Sequence, residues 1–227
     1  MATIKAVLFD LYGTLVHLEK PITDEEVSDY LFKREYEVSP QMFKAAWAFV
    51  SFIDYPKYGF RDWRPFLRRI FWRLEVKINE ETLKAIAERF ERNPYKLYPD
   101  AVSAVIRAKA SGFRTAIVTT IAHFKFQNAV QPIREQFDFV MTGYEAGCDK
   151  THPKMYKKTL EILNVKPNEA VMVGDDLATD VLLPRKQGIH AILLDRARTI
   201  SDCSEAIAVV HDLDEAVETV IKGNRKN

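Results

Sequence analysis

The stretch "KAVLFDLYGTLV", residues 5–16, decides how the fold of this chain is predicted. Its apolar run up to Phe9 is typical of a buried strand, and the run stops at Asp10 before a turn that contains Gly13. A carboxylate at a strand end beside a glycine turn can act as a nucleophile, because backbone N–H groups of the turn stabilise an incoming anion. Asp10 is therefore the first candidate site residue.

Further apolar runs of the same character follow, and segments with helical periodicity lie between them. The predicted strands cover residues 4–9, 113–119, 137–142, 169–174 and 189–194. Helices are predicted from Asp100 to Gly112, from Pro153 onward, and over residues 177–187 and 213–221. This alternation predicts an α/β fold with a doubly wound parallel sheet, whose ligand site lies at the carboxyl ends of the strands.

Residues 20–97 interrupt the alternation with helical patterns alone. The predicted helix starts are Thr23 with Glu26 as a capping box, Ser39 before Pro40, Asp62, and Asn79. We therefore predict a small α-helical domain over residues 19–97, inserted into a core domain formed by residues 1–18 and 98–227.

Composition excludes several classes of function. The 33 basic residues balance 32 acidic ones, so charge gives no reason to expect a nucleic acid or membrane partner. No uncharged run reaches the roughly 18 residues of a membrane span, and no signal-peptide pattern is present. Cys148 and Cys203 have no paired spacing, which predicts reduced thiols. We expect a cytoplasmic monomer or homodimer that acts on a small molecule.

Polar residues collect at the predicted carboxyl ends of the strands. Thr119 and Thr120 follow the second strand, "GDDLATD" (residues 174–180) ends the fourth, and Lys150 stands on a loop before a helix. Each has an ordinary structural interpretation when taken alone, since aspartates commonly close turns or cap helices and lysines are commonly solvated. Their joint order and spacing along the chain favour a shared site.

In this joint order the sequence resembles the haloacid dehalogenase superfamily. The four motifs of that superfamily correspond to "FDLYGTL", Thr119 in "AIVTT", Lys150 in "EAGCDKTHP", and "VGDDLATD", and the resemblance extends from residue 4 to residue 195. The inserted helical segment resembles a C1 cap, which is a helical lid over the catalytic cleft. About 30 residues separate Thr120 from Lys150, which leaves no room for the second type of cap.

The resemblance implies a role for each matching residue. Asp10 would be the nucleophile that forms a covalent aspartyl intermediate, and Thr119 would donate a hydrogen bond to the transferring group. Lys150 would neutralise negative charge around Asp10, and Asp180 would support the outer shell of a metal ion. Gly13, Thr14, Thr120 and Tyr12 would bind the substrate phosphate.

The resemblance also implies a Mg²⁺ site. Its protein ligands would be Asp10, Asp175 and the backbone carbonyl of Tyr12. Mg²⁺ prefers oxygen ligands, keeps several waters and bridges to phosphate, so these donors suit it. Mg²⁺ is accordingly the predicted cofactor.

Tyr12 departs from the phosphatase pattern of the superfamily, which has a second aspartate at this position to protonate the leaving group. "DxYGT" is similar instead to the 2-haloacid dehalogenases, which need neither that proton nor a metal. Two features oppose a dehalogenase: those enzymes have "SSNxxD" where this chain has "GDDLATD", and they use a cap arginine expected near Ser39. No arginine lies between Arg34 and Arg61.

We therefore predict a Mg²⁺-dependent phosphatase that acts on a small phosphorylated metabolite through an aspartyl-phosphate. Because a positioned acid contributes about 10²- to 10⁴-fold, the enzyme should be slow or prefer substrates with good leaving groups. The alternatives are a metal-independent 2-haloacid dehalogenase and, from another class, a degenerate binding or regulatory member. A phosphonate hydrolase would need a cap lysine as a Schiff base, and nothing singles out Lys33, Lys44 or Lys57.

The segment "FIDYPKYGFRDWR", residues 52–64, concentrates aromatic side chains with basic ones around proline and glycine. We expect most of its aromatic residues to pack in the core of the helical segment. The alternative is a loop that faces the substrate.

Overall fold

The computed structural model describes residues 3–225. Its strands are β1 (Ala6–Phe9), β2 (Val16–His17), β3 (Lys96–Leu97), β4 (Arg114–Val118), β5 (Phe139–Met141), β6 (Ala170–Gly174), β7 (His190–Leu194) and β8 (Ala208–Val210). Six of them form a parallel sheet in the order β5-β4-β1-β6-β7-β8, and β2 pairs with β3 in an antiparallel ribbon.

Helices cover both faces of this sheet and fill the insertion after β2. They are α1 (Asp24–Phe32), α2 (Pro40–Phe49), α3 (Tyr55–Tyr58), α4 (Trp63–Arg73), α5 (Glu80–Glu91), α6 (Ala101–Ala110), α7 (His123–Val130), α8 (Gly143–Ala146), α9 (Lys154–Leu163), α10 (Leu183–Lys186) and α11 (Leu213–Arg225). Two π-helical turns, Val50–Asp54 and Leu177–Leu182, precede α3 and α10. In the described residues no helix is long and apolar enough to cross a membrane.

The predicted α/β fold with a doubly wound parallel sheet is confirmed. Each predicted strand is present within its predicted range, but β8 at the sheet edge was not predicted. No helix separates β8 from β7 in the chain, so the alternation of strands and helices that marks the other strands does not mark this one. The helix predicted over residues 177–187 begins instead as the π-helical turn.

The first strand lies at the centre of the sheet with both faces buried. Val7 and Phe9 point into the apolar layer that contains α6 and α11, whereas Ala6 and Leu8 point into the layer that contains α9. Burial on both faces explains the uninterrupted apolar run in this strand. It also places Asp10, the residue after β1, in the middle of the carboxyl edge.

The helix starts of the insertion follow the predicted capping residues. Thr23 accepts from the N–H of Glu26 at 3.2 Å, and the Glu26 carboxylate accepts from the N–H of Thr23 at 3.1 Å, which completes the capping box. Ser39, Asp62 and Asn79 likewise accept from N–H groups in the first turns of α2, α4 and α5. These bonds satisfy N–H groups that a helix start would otherwise leave without partners.

Asp100 is a correction to the predicted helix caps. It precedes α6, but its side chain accepts no hydrogen bond from that helix. The carboxylate instead pairs with Arg196 at 2.9 Å and accepts from the N–H of Leu213 at 2.8 Å. Asp100 therefore ties two distant segments together, because tertiary partners of opposite charge compete successfully with a local cap.

The inserted helices have an apolar core of their own. Its fully buried side chains include Leu31, Phe66 and Ile70. Tyr55 connects these helices to the sheet layer: its hydroxyl hydrogen-bonds to Thr142 Oγ1 at 2.9 Å and accepts from the N–H of His123 at 3.1 Å. The inserted helices thus lie against the carboxyl edge of the sheet.

A buried carboxylate in the insertion is held by two arginines. Asp54 is 2% exposed and pairs with Arg69 at 2.8 Å and with Arg73 at 2.5 Å. Burial alone would raise the pKa of Asp54, but hydrogen bonds from Arg73 and Arg69 outweigh it and lower the pKa to about 2. The ion cluster therefore stabilises the folded state only while Asp54 is ionised.

Asp54→Asn should lower the free energy of unfolding by about 2 kcal/mol at pH 6. A depressed pKa contributes stability that is present above the unfolded value near 4 and is lost as pH falls through about 2. The difference in free energy of unfolding between the unaltered protein and the variant should therefore decrease as the pH falls from 4 to 2. Urea unfolding at several pH values measures it, with the exposed Asp202→Asn as control. A difference independent of pH would contradict the ion-pair explanation.

Candidate active site

Asp10 and Lys150 form a buried ion pair at the carboxyl edge of the sheet. Lys150 Nζ donates to Asp10 Oδ1 at 2.6 Å, and the two residues are 5% and 8% exposed. The N–H of Asp10 donates to the carbonyl of Val173 at 2.9 Å, which extends the ladder between β1 and β6 by one residue. The backbone of the sheet therefore fixes this carboxylate, and Lys150 fixes one of its oxygens.

Asp180 is the second acidic partner of Lys150. Its Oδ1 accepts from Lys150 Nζ, and its Oδ2 accepts from the N–H of Asp176 at 3.2 Å. The carboxylate reaches this position across Gly174, where an added Cβ would lie 2.3 Å from Asp180 Oδ2. A side chain at Gly174 would thus displace Asp180, so glycine is required there for close approach.

Asp175 lies at the open side of the same cluster. Its Oδ1 accepts from the hydroxyl of Thr14 at 3.0 Å, and its carboxylate lies against Gly13, where an added Cβ would come within 2.2 Å of Oδ2. Gly13 also has a φ of +84°, which disfavours any residue with a Cβ. The turn that contains Gly13, after β1, is therefore in direct contact with the loop that follows β6.

The three carboxylates form an acidic cluster that fits a divalent cation. One oxygen from each of Asp10, Asp175 and Asp180 lies within 4.8 Å of the others. Both oxygens of Asp180 already accept hydrogen bonds, so Asp10 and Asp175 are the better placed to bind a cation. An all-oxygen donor set of this kind suits a hard ion such as Mg²⁺.

Charges within the cluster shift the pKa values of its members. Burial alone would lower the pKa of Lys150, but the negative charges of Asp10 and Asp180 outweigh it and raise that pKa. Burial raises the pKa of Asp180, and partial burial together with Asp10 raises that of Asp175. Among residues 3–225, Asp175 forms no ion pair within 4.0 Å, so a bound cation would favour its ionised form.

A cavity of about 520 Å³ opens onto these groups, and its walls include Thr119 and Thr120. Thr119 is 2% exposed, and its N–H donates to the carbonyl of Met141 at 2.9 Å. Its Oγ1 accepts from the N–H of Ile121 at 3.1 Å, so its own proton can be donated to a ligand. The cavity therefore brings a neutral donor close to Asp10 and Lys150.

Tyr12 forms part of the cavity wall and is 45% exposed. Its ring meets Tyr95 edge to face, with centroids 5.9 Å apart. Two backbone hydrogen bonds close the turn that follows it. The N–H of Gly13 donates to the carbonyl of Val16 at 2.9 Å, and the N–H of Val16 donates to the carbonyl of Leu11 at 2.8 Å. Neither bond is accepted by the carbonyl of Tyr12, so closing the turn leaves that carbonyl available.

The family model for haloacid dehalogenase-like hydrolases matches residues 4–187. The chain belongs to this family. A curated relative, the glyceraldehyde 3-phosphate phosphatase of Pyrococcus furiosus, is 27% identical over 199 residues, which cover 85% of this chain and 81% of the relative.

Two solved structures show the same fold. A crystal structure of a HAD phosphatase from Thermococcus onnurineus has 25% identity and a TM-score of 0.67, and the match covers 96% of this chain and 98% of that one. The 2-haloacid dehalogenase from Pseudomonas syringae pv. Tomato DC3000 has 18% identity and a TM-score of 0.69, covering 97% and 99%. The fold by itself thus does not separate a phosphatase from a dehalogenase.

The structure of this haloacid dehalogenase-like hydrolase brings together every residue that the sequence put forward for the site. Asp10, Thr119, Lys150, Asp175 and Asp180 all line one cavity with Tyr12 and Thr120. Gly13 and Thr14 stand directly behind it, against Asp175.

Arg196 supports the site and was missed. Its guanidinium donates to the carbonyl of Thr14 at 2.7 Å and to that of Gly13 at 3.2 Å, while Asp100 holds its other side. It lies two residues after β7, at the same carboxyl edge of the sheet as Asp10. Its position just after an apolar run is the same sequence signal that indicated Asp10.

Phe52 departs from the expectation that the aromatic residues of segment 52–64 pack in the core of the inserted helices. Its side chain lines the cavity at Asp10 and is 46% exposed. Phe60 and Trp63 pack against the core of the inserted helices, whereas Tyr55 is buried against Thr142 and His123. Tyr58, the fifth aromatic residue of the segment, is 50% exposed. The expectation that most of these residues pack in the core of the inserted helices is therefore wrong, because only Phe60 and Trp63 do so.

Proposed function

We propose that this hydrolase is a Mg²⁺-dependent phosphatase that acts on a small phosphorylated metabolite through an aspartyl-phosphate. The observation that carries the proposal is the arrangement at the end of β1. Asp10 is a fixed carboxylate with a lysine at 2.6 Å, and two further carboxylates lie within 4.8 Å. The similarity to chains named phosphatases supports the same chemistry.

In the first step Oδ2 of Asp10 attacks phosphorus, because Lys150 holds Oδ1. A carboxylate oxygen–phosphorus bond forms while the bond between phosphorus and the leaving oxygen breaks, and the electron pair stays with the leaving oxygen. That oxygen takes a proton from water. The positive charge of Lys150 and the hydroxyl of Thr119 stabilise the negative charge at the transferring group.

In the second step a water molecule attacks phosphorus, and the bond to Asp10 breaks. This returns the carboxylate, releases inorganic phosphate and gives the proton of the water to solvent. Tyr12 occupies the position from which a second aspartate would assist both proton transfers. The enzyme should therefore favour aryl or acyl phosphates, whose leaving groups need little protonation.

Asp10, Asp175 and the carbonyl of Tyr12 are the groups we propose for Mg²⁺. The ion would supply Lewis-acid stabilisation of the phosphoryl charge. Asp180 would act indirectly, because it holds Lys150 and the N–H of Asp176.

We also propose that residues 19–97 form a C1 cap over a core made of residues 1–18 and 98–227. The separate apolar core of helices α1, α2, α4 and α5 supports this division, as does the contact of Tyr55 with Thr142 at the carboxyl edge. Phe52 would then be a residue of the cap that touches the substrate.

A 2-haloacid dehalogenase is the alternative, and Tyr12 is the observation that favours it. The lining of the cavity opposes it, since among the described residues no arginine is present there to grip a substrate carboxylate. Arg69 and Arg73 in the helical segment are already paired with Asp54.

Removal of metal provides the test. With p-nitrophenyl phosphate as substrate, EDTA should reduce phosphate release by at least about 10²-fold, because Lewis-acid stabilisation amounts to several kcal/mol. Restoring Mg²⁺ should restore activity, and Mg²⁺ alone should raise the melting temperature by binding the folded state.

Two outcomes would contradict the proposal. Halide release from 2-chloropropionate in the presence of EDTA would establish the dehalogenase. Inactivity toward a broad panel of phosphate esters and haloacids would favour a binding or regulatory protein.

A further inference from the structure

A second cavity of about 210 Å³ adjoins the one at Asp10. The two share Tyr12, Phe52, Thr120 and Ile121, so a molecule bound at Asp10 can extend into it. Its far walls come from the inserted helices and from α7. At roughly 30 Å³ per water, its volume holds about seven waters, which suits a small leaving group.

The side chain of Lys125 supplies positive charge to this second cavity. Its Nζ lies 3.7 Å from the ring centroid of Phe66, 4.1 Å from that of Trp47 and 5.0 Å from that of Trp63. In the described part of the chain it has no carboxylate within 4.0 Å. Burial lowers the pKa of Lys125 well below its usual range, and an anion bound beside it would favour the charged ammonium form. The ring faces offset part of the cost of enclosing the ammonium group, but they supply no counter-charge.

Ser51 contributes a second polar group to the same cavity. Its Oγ is shielded from solvent, and within residues 3–225 it has no hydrogen-bond partner. Ser51 lies in the π-helical turn Val50–Asp54, and such turns inside α-helices occur frequently at functional sites. A buried hydroxyl without a partner is costly, so a ligand that accepts its proton would remove that cost.

Lys125 and Ser51 are both donors, and the walls between them are aromatic. An ammonium group and a hydroxyl together recognise an anion, and rings such as Trp47, Phe66 and Tyr95 accommodate a flat apolar body. One lysine and one hydroxyl match a carboxylate, which carries a single charge, better than a second phosphate.

We propose that Lys125 and Ser51 bind a carboxylate carried by the leaving group of the substrate, whose flat apolar part lies between the rings of the second cavity. The inference rests on the proposed phosphatase function and extends it to a substrate class. That class is a phosphate ester whose leaving group is an aromatic or similarly flat carboxylic acid.

The test compares 3-carboxyphenyl phosphate with 3-carbamoylphenyl phosphate. The two have nearly the same shape, and only the first has a charged carboxylate. The unaltered enzyme should show a kcat/KM at least about tenfold higher for the carboxylate. Lys125→Met should reduce this ratio by at least about tenfold, since it removes the counter-charge. Ser51→Ala should reduce it by about 3- to 10-fold.

Lys33→Met is the matched control, because Lys33 is exposed at the end of α1 and lies outside both cavities. It should change neither the ratio nor the rate. Inhibition by 3-hydroxybenzoate compared with 3-hydroxybenzamide gives a second measurement that needs no variant. The unaltered enzyme should bind the acid more tightly by at least about tenfold.

The inference and the proposed function fail in different ways. If neither aryl phosphate is hydrolysed, the phosphatase proposal fails. If both are hydrolysed with equal kcat/KM, or if Lys125→Met leaves the preference intact, the carboxylate subsite is wrong while the phosphatase remains. If the Lys125→Met chain does not fold, equal inhibition by 3-hydroxybenzoate and 3-hydroxybenzamide overturns the subsite.

Discussion

Asp10→Asn should reduce phosphate release by roughly 10⁴- to 10⁶-fold, the usual cost of removing a covalent nucleophile. An amide keeps the size of the carboxylate, and its oxygen can still accept the proton of Lys150. What it loses is the negative charge and the lone pair that would attack phosphorus. The large loss should therefore appear in kcat without loss of the folded state.

Mass spectrometry of acid-quenched enzyme provides the direct measurement. The unaltered chain should carry a phosphoryl group on Asp10 during turnover, and the variant should carry none. Asp202→Asn, an exposed aspartate outside the cavity, is the control and should retain both the activity and the intermediate. A phosphorylated chain in the Asp10→Asn variant would show that another residue is the nucleophile.

Tyr12→Asp should accelerate the hydrolysis of alkyl phosphates by about 10²- to 10⁴-fold, the contribution of a positioned acid and base. Tyr12 already lines the cavity and is 45% exposed, so its replacement leaves the sheet core intact. The lost contact is the edge-to-face one with Tyr95. An aspartate at this position would protonate the leaving alkoxide and then activate water.

The rate gain expected for Tyr12→Asp depends on the leaving group of the substrate. For p-nitrophenyl phosphate the gain should be below about tenfold, since its leaving group needs little protonation. Tyr12→Asn is the matched control, because it has the shape of aspartate without its proton chemistry. An equal gain with asparagine, or an equal gain on both substrate types, would contradict the assignment of a missing acid to position 12.

Local sequence patterns sufficed for most of the fold. Asp10 after an apolar run, Thr23 with Glu26, and Asn79 before α5 are each governed by interactions within a few residues, so their positions were predictable. The edge strand β8 was not predicted, because no helix precedes it to mark a new strand. The π-helical turns were not predicted either, because an inserted helical residue leaves no periodic signal. The prediction that Asp100 caps α6 was wrong for a related reason, because its partners Arg196 and Leu213 are distant in sequence.

The acidic cluster was predictable for a topological reason. Parallel strands bring their carboxyl ends to one edge, so Asp10 after β1 and Asp175 after β6 had to approach each other once the strand order was known. No sequence motif predicted the second cavity. Lys125 and Ser51 belong to separate elements, and only the contact between the inserted helices and α7 places both beside the same space.

The sequence by itself determined the parallel sheet, the inserted helices and the set of residues at the end of β1, because strand and helix periods and capping residues act locally. The tertiary structure alone decided that Lys150 would join Asp10 to Asp180 and that Arg196 would hold the Gly13 turn. It also decided that Lys125 would face a cavity with no carboxylate of the described residues within 4.0 Å. These are contacts between segments far apart in the chain, and side-chain charge and packing select them only after the backbone has folded.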